Sequence, residues 1–214
     1  MKRRTLDVLF SVGGLVLAGL LLVLAVVMTS NANFSKRYVK DQLSQQEITF
    51  KTADTLTAEE KKSACLVTYA GQKLTTGKQA ECYANEFIGL HLKGIAGGKT
   101  YADLGAPQSA LREQVAAAQA SNAANLADLQ KQLADVTAQR ETVFKGETLR
   151  GLLLTSYGFS EFGAKAAQAA TVAYLAAALM ALLAALGFIH AFVIPRNRAF
   201  APVEETQRKE TVRA

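Results

Sequence analysis

The run VLFSVGGLVLAGLLLVLAVVM, residues 8–28, and the run TVAYLAAALMALLAALGFIHAFVI, residues 171–194, decide the fold of this 214-residue chain. Neither run contains Asp, Glu, Lys or Arg. About 20 apolar residues in a helix cross a hydrocarbon layer of roughly 30 Å. Inside a bilayer the backbone amides must be hydrogen-bonded within their own segment, so a helix is expected for both runs. The sequence therefore predicts two transmembrane helices, at 8–29 and 169–194.

A secretory signal peptide is the alternative interpretation of the first run. Lys2, Arg3 and Arg4 precede it, and Ser30-Asn31-Ala32 loosely resembles a cleavage site. The apolar core of a signal peptide is usually about 7–15 residues long, and the first run is longer than that. We therefore interpret it as an uncleaved anchor.

The basic residues beyond the two runs predict the topology. Lys and Arg near the ends of membrane helices favour the cytoplasmic side, so the termini, 1–7 and 195–214, are expected in the cytoplasm of a cell whose plasma membrane the chain crosses twice. Residues 30–168 are then extracytoplasmic. Most of the net charge of +6 lies in the tails, and no basic stripe with interleaved aromatic residues indicates nucleic-acid binding. The basic residues concerned are Lys2, Arg3, Arg4, Arg196, Arg198, Arg208, Lys209 and Arg213.

The sequence between the runs favours helices, so the predicted fold is all-α: two transmembrane helices flanking a mostly helical extracytoplasmic domain. We expect the first helix to continue to about Gln46 and residues 30–106 to form a small helical region. Thr57 with Glu60 has the spacing of a capping box, which predicts a helix to about Tyr69 or Ala70. The segment 75–77 opens another helix, and Gly97-Gly98 ends it.

A long external helix is predicted over 107–145, because this stretch is rich in strong helix formers and Pro107 suits a first helical turn. Part of it has the three- and four-residue spacing of a coiled coil. That seam is interrupted at 121–125 and is short, so it packs either within the domain or against a partner. Its residues are Leu126, Leu129, Leu133, Val136, Arg140 and Val143.

Residues 146–168 are predicted to be a separate juxtamembrane amphipathic segment. Gly146 is expected to interrupt the preceding helix, and the apolar stretch 149–159 is too short to cross a bilayer. We interpret it as an interfacial helix with Tyr157, Phe159 and Phe162 at headgroup level.

Cys65 and Cys82 both fall in the predicted external region. An even number of cysteines in an oxidising compartment indicates a disulfide, and closing a loop of roughly 18 residues is worth about 3 kcal/mol in the chain-entropy model. The bridge would join two consecutive helices. The alternative is a pair of buried free thiols.

The two histidines do not predict a metal centre. His91 lies on the apolar side of its predicted helix, where a packed residue is the simpler interpretation. His190 lies near the cytoplasmic end of the second run. A titratable group in a membrane helix hints at function, but we favour a ring that reaches the headgroups. Neither a metal nor a cofactor is expected.

Small residues in both runs predict where the two helices pack. Gly14 and Ala18 are four residues apart, as are Ala177 and Ala181, and Ala184 follows. Small residues permit close backbone approach of membrane helices. The alternative is simply an Ala-rich apolar helix.

The chain contains KDQL at 40–43 with Gln46, ITF at 48–50, TTGKQA at 75–80, YAN at 83–85, IGLHL at 88–92, KTYA at 99–102 and GETLRGLLL at 146–154, followed by the Ala-rich run. Together these segments resemble a family of two-span membrane proteins from actinobacteria, and the resemblance covers nearly the whole chain. It implies a two-span fold and a membrane location. Members often carry an automatic label as an aromatic ring-opening dioxygenase subunit. Such extradiol enzymes hold iron with two His and a carboxylate, whereas His91 and His190 are about a hundred residues apart.

We expect a non-catalytic accessory or scaffold subunit of a larger membrane complex, and not an enzyme. Accessory proteins of this build on actinobacterial respiratory supercomplexes make a respiratory complex a candidate partner by analogy. The expected partners are the lipid bilayer and other integral membrane proteins, with a homo-oligomer left open. The alternative is an extracytoplasmic ligand-sensing protein acting through a membrane partner, because the tail after Pro195 is too short for a signalling domain.

Overall fold

The computed structural model describes residues 3–193, and over this range the chain is all-helical, as predicted. The helices are α1 (Arg3–Ser44), α2 (Ala64–Thr68), α3 (Gly77–Cys82), α4 (Gly89–Ala96), α5 (Gly105–Ala120) and α6 (Leu126–Val193), with a 3₁₀ turn at Glu60–Lys62 and a π-helical turn at Tyr83–Ile88. The predicted tail at 195–214 and its basic residues lie outside the described range, as does Lys2.

Two of these helices are long and apolar enough to cross a membrane. They are α1, with 42 residues, and α6, with 68. α1 ends two residues before the predicted Gln46, in a turn where Glu47 adopts a positive φ of 50°.

The prediction of one continuous external helix over 107–145 is wrong. α5 ends at Ala120, the chain turns through 121–125, and Asn122 adopts a left-handed φ of 49°. Asn tolerates this region better than most residues because its short polar side chain bonds locally. The polar segment that weakened the predicted seam is therefore a turn between two helices.

The prediction that residues 146–168 form a separate segment is also wrong, because α6 continues unbroken through Gly146. A Cβ at this position would collide with the side chain of Leu92 on α4. Gly146 therefore permits a close contact between α4 and α6 and does not end a helix. Tyr157, Phe159 and Phe162 lie on this continuous helix, so they do not mark a distinct interfacial element.

The described residues form two compact units: residues 3–32 with 164–193, and residues 33–163. We call the described part of the first the helix-pair unit and the second the helical unit. The core of the helical unit joins α1, α6 and the short helices between them. Its buried apolar residues are Val39, Leu43, Phe50, Leu66, Leu74, Ala80, Cys82, Ala84, Ile88, Leu92 and Leu153.

Local capping interactions organise the helical unit largely as the sequence predicts. Thr76 and Gln79 form a capping box at the start of α3. Thr57 and Glu60 form the predicted reciprocal pair, but the helix they start is a short 3₁₀ turn, since Ser63 is extended with ψ 110°. Gly97 ends α4 in the left-handed conformation, as predicted.

Cys65 and Cys82 are joined by a disulfide, as predicted, with Cα atoms 6.1 Å apart. The bridge ties α2 to the end of α3. Farther along the chain, Ala96, Leu104 and Val143 form a second small core. The buried Gln108 on α5 bonds Thr137 and Arg140 on α6, so at these positions the first part of α6 packs within its own molecule.

Candidate functional site

In the helix-pair unit, α1 and α6 meet along a seam of small residues that lie three, four or seven positions apart on each helix. Ser11, Ala18 and Ala25 are buried on α1. Small residues also line the opposite side, on α6: Ala170, Ala173, Ala177, Ala184 and Ala191. A Cβ on Gly14 would lie 3.3 Å from Cβ of Ala184. Larger side chains here would force the helices apart, so the seam depends on close backbone approach.

Four of the five predicted packing residues lie in this seam. Gly14 faces Ala184, and Ala18 and Ala177 are buried. Ala181, the fifth, is half-buried. The pairing is antiparallel, because Ser11 contacts Gly187 while the Thr29 hydroxyl lies 3.5 Å from that of Tyr174.

Polar contacts close one end of the seam. Nδ1 of His190 lies 3.2 Å from a carboxylate oxygen of Asp7, and the Arg4 guanidinium stacks over the ring of Phe192 at 4.8 Å. The ring of His190 thus contacts a carboxylate of the other helix, which the sequence interpretation did not anticipate.

The remaining surface of the helix pair is apolar and exposed. It carries large side chains throughout, among them Val16, Leu20, Val23, Val172, Leu175, Leu179 and Leu182. Small residues also lie outside the seam. Nothing approaches a Cβ on Gly13 or Gly19 within 4 Å, and Ala178 and Ala185 on α6 are exposed.

The helical unit contains a groove between α1 with its following turn and α6, which we call the α1–α6 groove. Its volume is about 650 Å³, and none of the residues that line it is charged. The lining residues are Phe34, Tyr38, Val39, Gln42, Leu43, Gln46, Leu149, Leu152, Leu153, Thr155, Ser156 and Phe159.

Aromatic rings close one end of the α1–α6 groove. The centroid of Phe159 lies 6.2 Å from that of Phe34 and 5.5 Å from that of Tyr38. The hydroxyl of Ser35 donates to the carbonyl oxygen of Phe159 at 2.7 Å, which fixes α1 to α6 at this level. The other end is bordered by the side-chain amides of Gln42 and Gln46.

A buried carboxylate lies elsewhere in the helical unit. The side chain of Glu60 is 1% exposed, and it accepts hydrogen bonds from Nζ of Lys51 at 2.8 Å and the Thr57 amide at 2.7 Å. Burial raises the pKa of Glu60, but bonds from Lys51 and from the amide and hydroxyl of Thr57 outweigh this and lower it to about 2. The group therefore stays ionised and serves as a fixed anionic anchor.

His91 completes this cluster. Its Nδ1 lies 2.7 Å from the carbonyl oxygen of Phe87, and its Nε2 lies 3.5 Å from Glu60. The imidazole contacts the Phe87 ring, but the His91 side chain is 43% exposed, so it lies at the surface of the helical unit and not in its core. No group of three or more His, Cys, Asp or Glu residues within 3–193 is arranged to hold a metal ion.

A second polar cluster fastens α3 to α6. Nζ of Lys78 bonds the Tyr157 hydroxyl at 3.1 Å and lies 3.3 Å and 3.4 Å from Glu81 and Glu161. These bonds, led by that with Tyr157, raise the pKa of Lys78 despite partial desolvation. Gly77 lies directly against Ser160, where a Cβ would collide. Both observations indicate that this cluster has a structural role, which is to hold α3 against α6.

Sequence reasoning missed the α1–α6 groove and the Glu60 cluster. The groove combines residues more than a hundred positions apart in the chain, and Lys51, Glu60 and His91 come from three separate segments. The spacing of Phe34, Tyr38 and Gln42 places them on one face of α1, but nothing in that spacing indicates that the face stays uncovered. No protein-family model, curated protein or solved structure matches the chain.

Proposed function

We propose that the protein is a non-catalytic integral membrane protein that serves as an accessory or scaffold subunit of a larger membrane complex. The observation that carries this proposal is a set of exposed small residues on the two apolar helices. Gly13 and Gly19 on α1, and Ala178 and Ala185 on α6, are not used in the seam. Small residues on membrane helices are typical of contacts with further helices.

The physical reason lies in what drives association inside a bilayer. Lipid chains are as apolar as leucine, so helices gain little from hiding apolar surface and depend on close packing. The seam between α1 and α6 already uses one set of small residues. A second set at the surface allows another protein's helix to approach closely.

The same proposal includes a location and a topology. An antiparallel helix pair brings its two ends to one side of a membrane, and the basic residues at those ends favour the cytoplasm. The helical unit then lies outside the plasma membrane, where an oxidising environment maintains the disulfide between Cys65 and Cys82.

We also propose membership of the actinobacterial two-span family that the sequence resembles. A respiratory complex is then the candidate assembly, by analogy with accessory proteins of similar build.

Purification of the tagged native protein in mild detergent, with mass spectrometry of the proteins that accompany it, tests this function. We expect an integral membrane complex at fixed stoichiometry. The variant Ala178→Leu combined with Ala185→Leu should release the partner. Leu183→Phe is the matched control, since Leu183 is exposed and lies about 140° around α6 from Ala178. Recovery of the protein alone, or only with itself, would contradict the proposal.

An extracytoplasmic ligand-sensing role is the second candidate, and the α1–α6 groove is the observation that favours it. A pocket of this size with mainly apolar walls and a few polar groups is typical of small-molecule sites. A sensor would show a rise in melting temperature with one ligand class, without requiring a stoichiometric partner.

A further inference from the structure

We propose that the α1–α6 groove binds an uncharged lipid of the membrane, with its acyl chain between α1 and α6 and its polar group beside Gln42 and Gln46. This inference rests on the proposed insertion of the chain in a membrane. It goes beyond the accessory role, because it assigns a ligand class to the helical unit.

The walls of the groove match a hydrocarbon chain. Val39, Leu43 and Leu153 are buried beneath it, while Leu152 is 63% exposed and Phe34 is 53% exposed. Exposed apolar area costs free energy at about 25 cal/mol per Å². An acyl chain laid along these side chains removes that area from water and needs no ionic partner.

The uncharged lining of the groove favours a ligand with an uncharged polar head group. Because none of its lining residues is charged, a phosphate or carboxylate would lose hydration there without gaining a counter-ion. An uncharged glycerol or ester group complements this surface.

The end of the α1–α6 groove at Gln42 and Gln46 offers hydrogen-bonding groups that suit an uncharged lipid head group. The hydroxyl protons of Thr155 and Ser156 are already used, because they are donated to carbonyl oxygens of their own helix at 2.9 Å and 3.2 Å. Across the described residues, the side-chain amides of Gln42 and Gln46 have no hydrogen-bond partner. Each amide offers a donor and an acceptor, which suits a hydroxyl or an ester carbonyl.

The order of these features along the helices fits a membrane lipid and not a ligand from solution. Phe34 follows the end of the first apolar run by six residues, and Phe159 precedes the second run by 12. Gln42 and Gln46 lie farther from the first run. On α1 the aromatic end of the groove is therefore the end nearer the apolar run in sequence, and Phe159 of α6 lies at that same end. An outer-leaflet lipid whose chain lies between these rings would point its chain toward the apolar runs.

Photolabelling of the full-length protein in lipid nanodiscs tests this proposal. The probe is a monoacylglycerol with a diazirine in its acyl chain, and cross-linked peptides are mapped by mass spectrometry. We expect labels on the peptides that contain 34–46 and 149–159, reduced at least fivefold by excess unlabelled monoacylglycerol. An anionic phospholipid should compete less well than the neutral one.

A matched pair of variants separates the groove from general lipid contact. Leu152→Trp should fill the groove and remove most of the competable label, whereas Val67→Trp should retain it, because Val67 is also exposed but does not line the groove. Both variants should keep the disulfide and the melting temperature of the native protein, which excludes misfolding as the cause.

Three results would overturn the proposal. The first is labelling confined to the apolar runs, and the second is labelling that the neutral lipid does not compete. The third is a cross-link between two copies through Leu152→Cys without groove labelling, which would place a second copy there. Failure of the accessory role is distinguishable, because it appears as loss of the co-purifying partner and does not depend on Leu152→Trp.

Discussion

Ser11 on α1 lies so close to Gly187 on α6 that a Cβ atom at position 187 would overlap the Ser11 hydroxyl. That hydroxyl donates to the carbonyl oxygen of Asp7, one turn earlier, at 2.7 Å. The serine therefore satisfies its polar group within its own helix and offers a small surface to the other. The contact therefore brings the two helix backbones close together at this level of the seam.

Enlarging position 187 should separate the helices. Gly187→Val forces the backbone or Ser11 to move, and overpacking of this kind costs about 1–3 kcal/mol. We expect a lower melting temperature in detergent. Gly151→Val is the control, because a Cβ at Gly151 also meets nothing within 4 Å and Gly151 lies outside the seam and outside the proposed partner contact. Equal destabilisation by both variants would show that the seam is not packed as described.

Removing the disulfide should destabilise the helical unit. Double substitution of Cys65→Ala and Cys82→Ala frees a loop with a sequence separation of 17, and loss of a native bridge costs roughly 2–5 kcal/mol. Denaturant titration of the purified protein, followed by circular dichroism, measures this loss. An unchanged midpoint would indicate that the bridge adds nothing to the packing around Leu66 and Leu74.

The Glu60 cluster predicts a pH dependence of stability. The pKa of Glu60 is about 2 in the folded chain, below its ordinary value of 4.5. A carboxyl group whose pKa is lower in the folded than in the unfolded state stabilises the fold. This stabilisation is fully present above the unfolded-state pKa and is lost as the pH falls towards the folded-state pKa. Glu60→Gln should therefore cost about 1–3 kcal/mol at pH 7, and the difference from the native protein should shrink as the pH falls from 4.5 towards 2.

Glu59→Gln is the matched control for this titration, because Glu59 is adjacent, is 58% exposed and pairs only with Lys62 among the described residues. Exposed pairs contribute about 0–1 kcal/mol. A difference between Glu60→Gln and the native protein that stays constant from pH 7 to pH 3 would refute the assigned anchor role.

Gly146 should be intolerant of side chains although it lies inside a helix, where valine or alanine is normally the better helix former. Gly146→Val should lower the melting temperature, since it must displace Leu92, whereas Gly151→Val should be tolerated because its Cβ meets nothing within 4 Å. If both substitutions stabilise α6 alike, the contact between α4 and α6 is not as described.

The sequence predicts those parts of the fold that depend on local pattern. The apolar runs, the cap at Thr57 and Glu60, the end at Gly97 and the paired cysteines all follow from residue type and spacing. Gly146 was misinterpreted because glycine has two uses. It breaks helices by its flexibility, and it permits contacts by its lack of a side chain. Only the close contact with Leu92 in the folded chain shows that Gly146 has the second use.

The α1–α6 groove could not be predicted for a different reason. Its walls come from two helices far apart in sequence, and which face of each remains uncovered depends on how the short helices pack between them. Phe34, Leu152 and Phe159 have the pattern of ordinary apolar helix residues. Their exposure appears only when the whole helical unit is assembled.

Both proposals depend on a chain that crosses the membrane twice and holds the helical unit outside. Labelling with a membrane-impermeant maleimide tests this most directly, using the single variants Ala53→Cys in the helical unit and Thr5→Cys near the start of α1. We predict that Ala53→Cys reacts in intact cells and that Thr5→Cys reacts only after permeabilisation. The reverse pattern, reaction of both in intact cells, or loss of residue 5 from the mature protein would contradict the account.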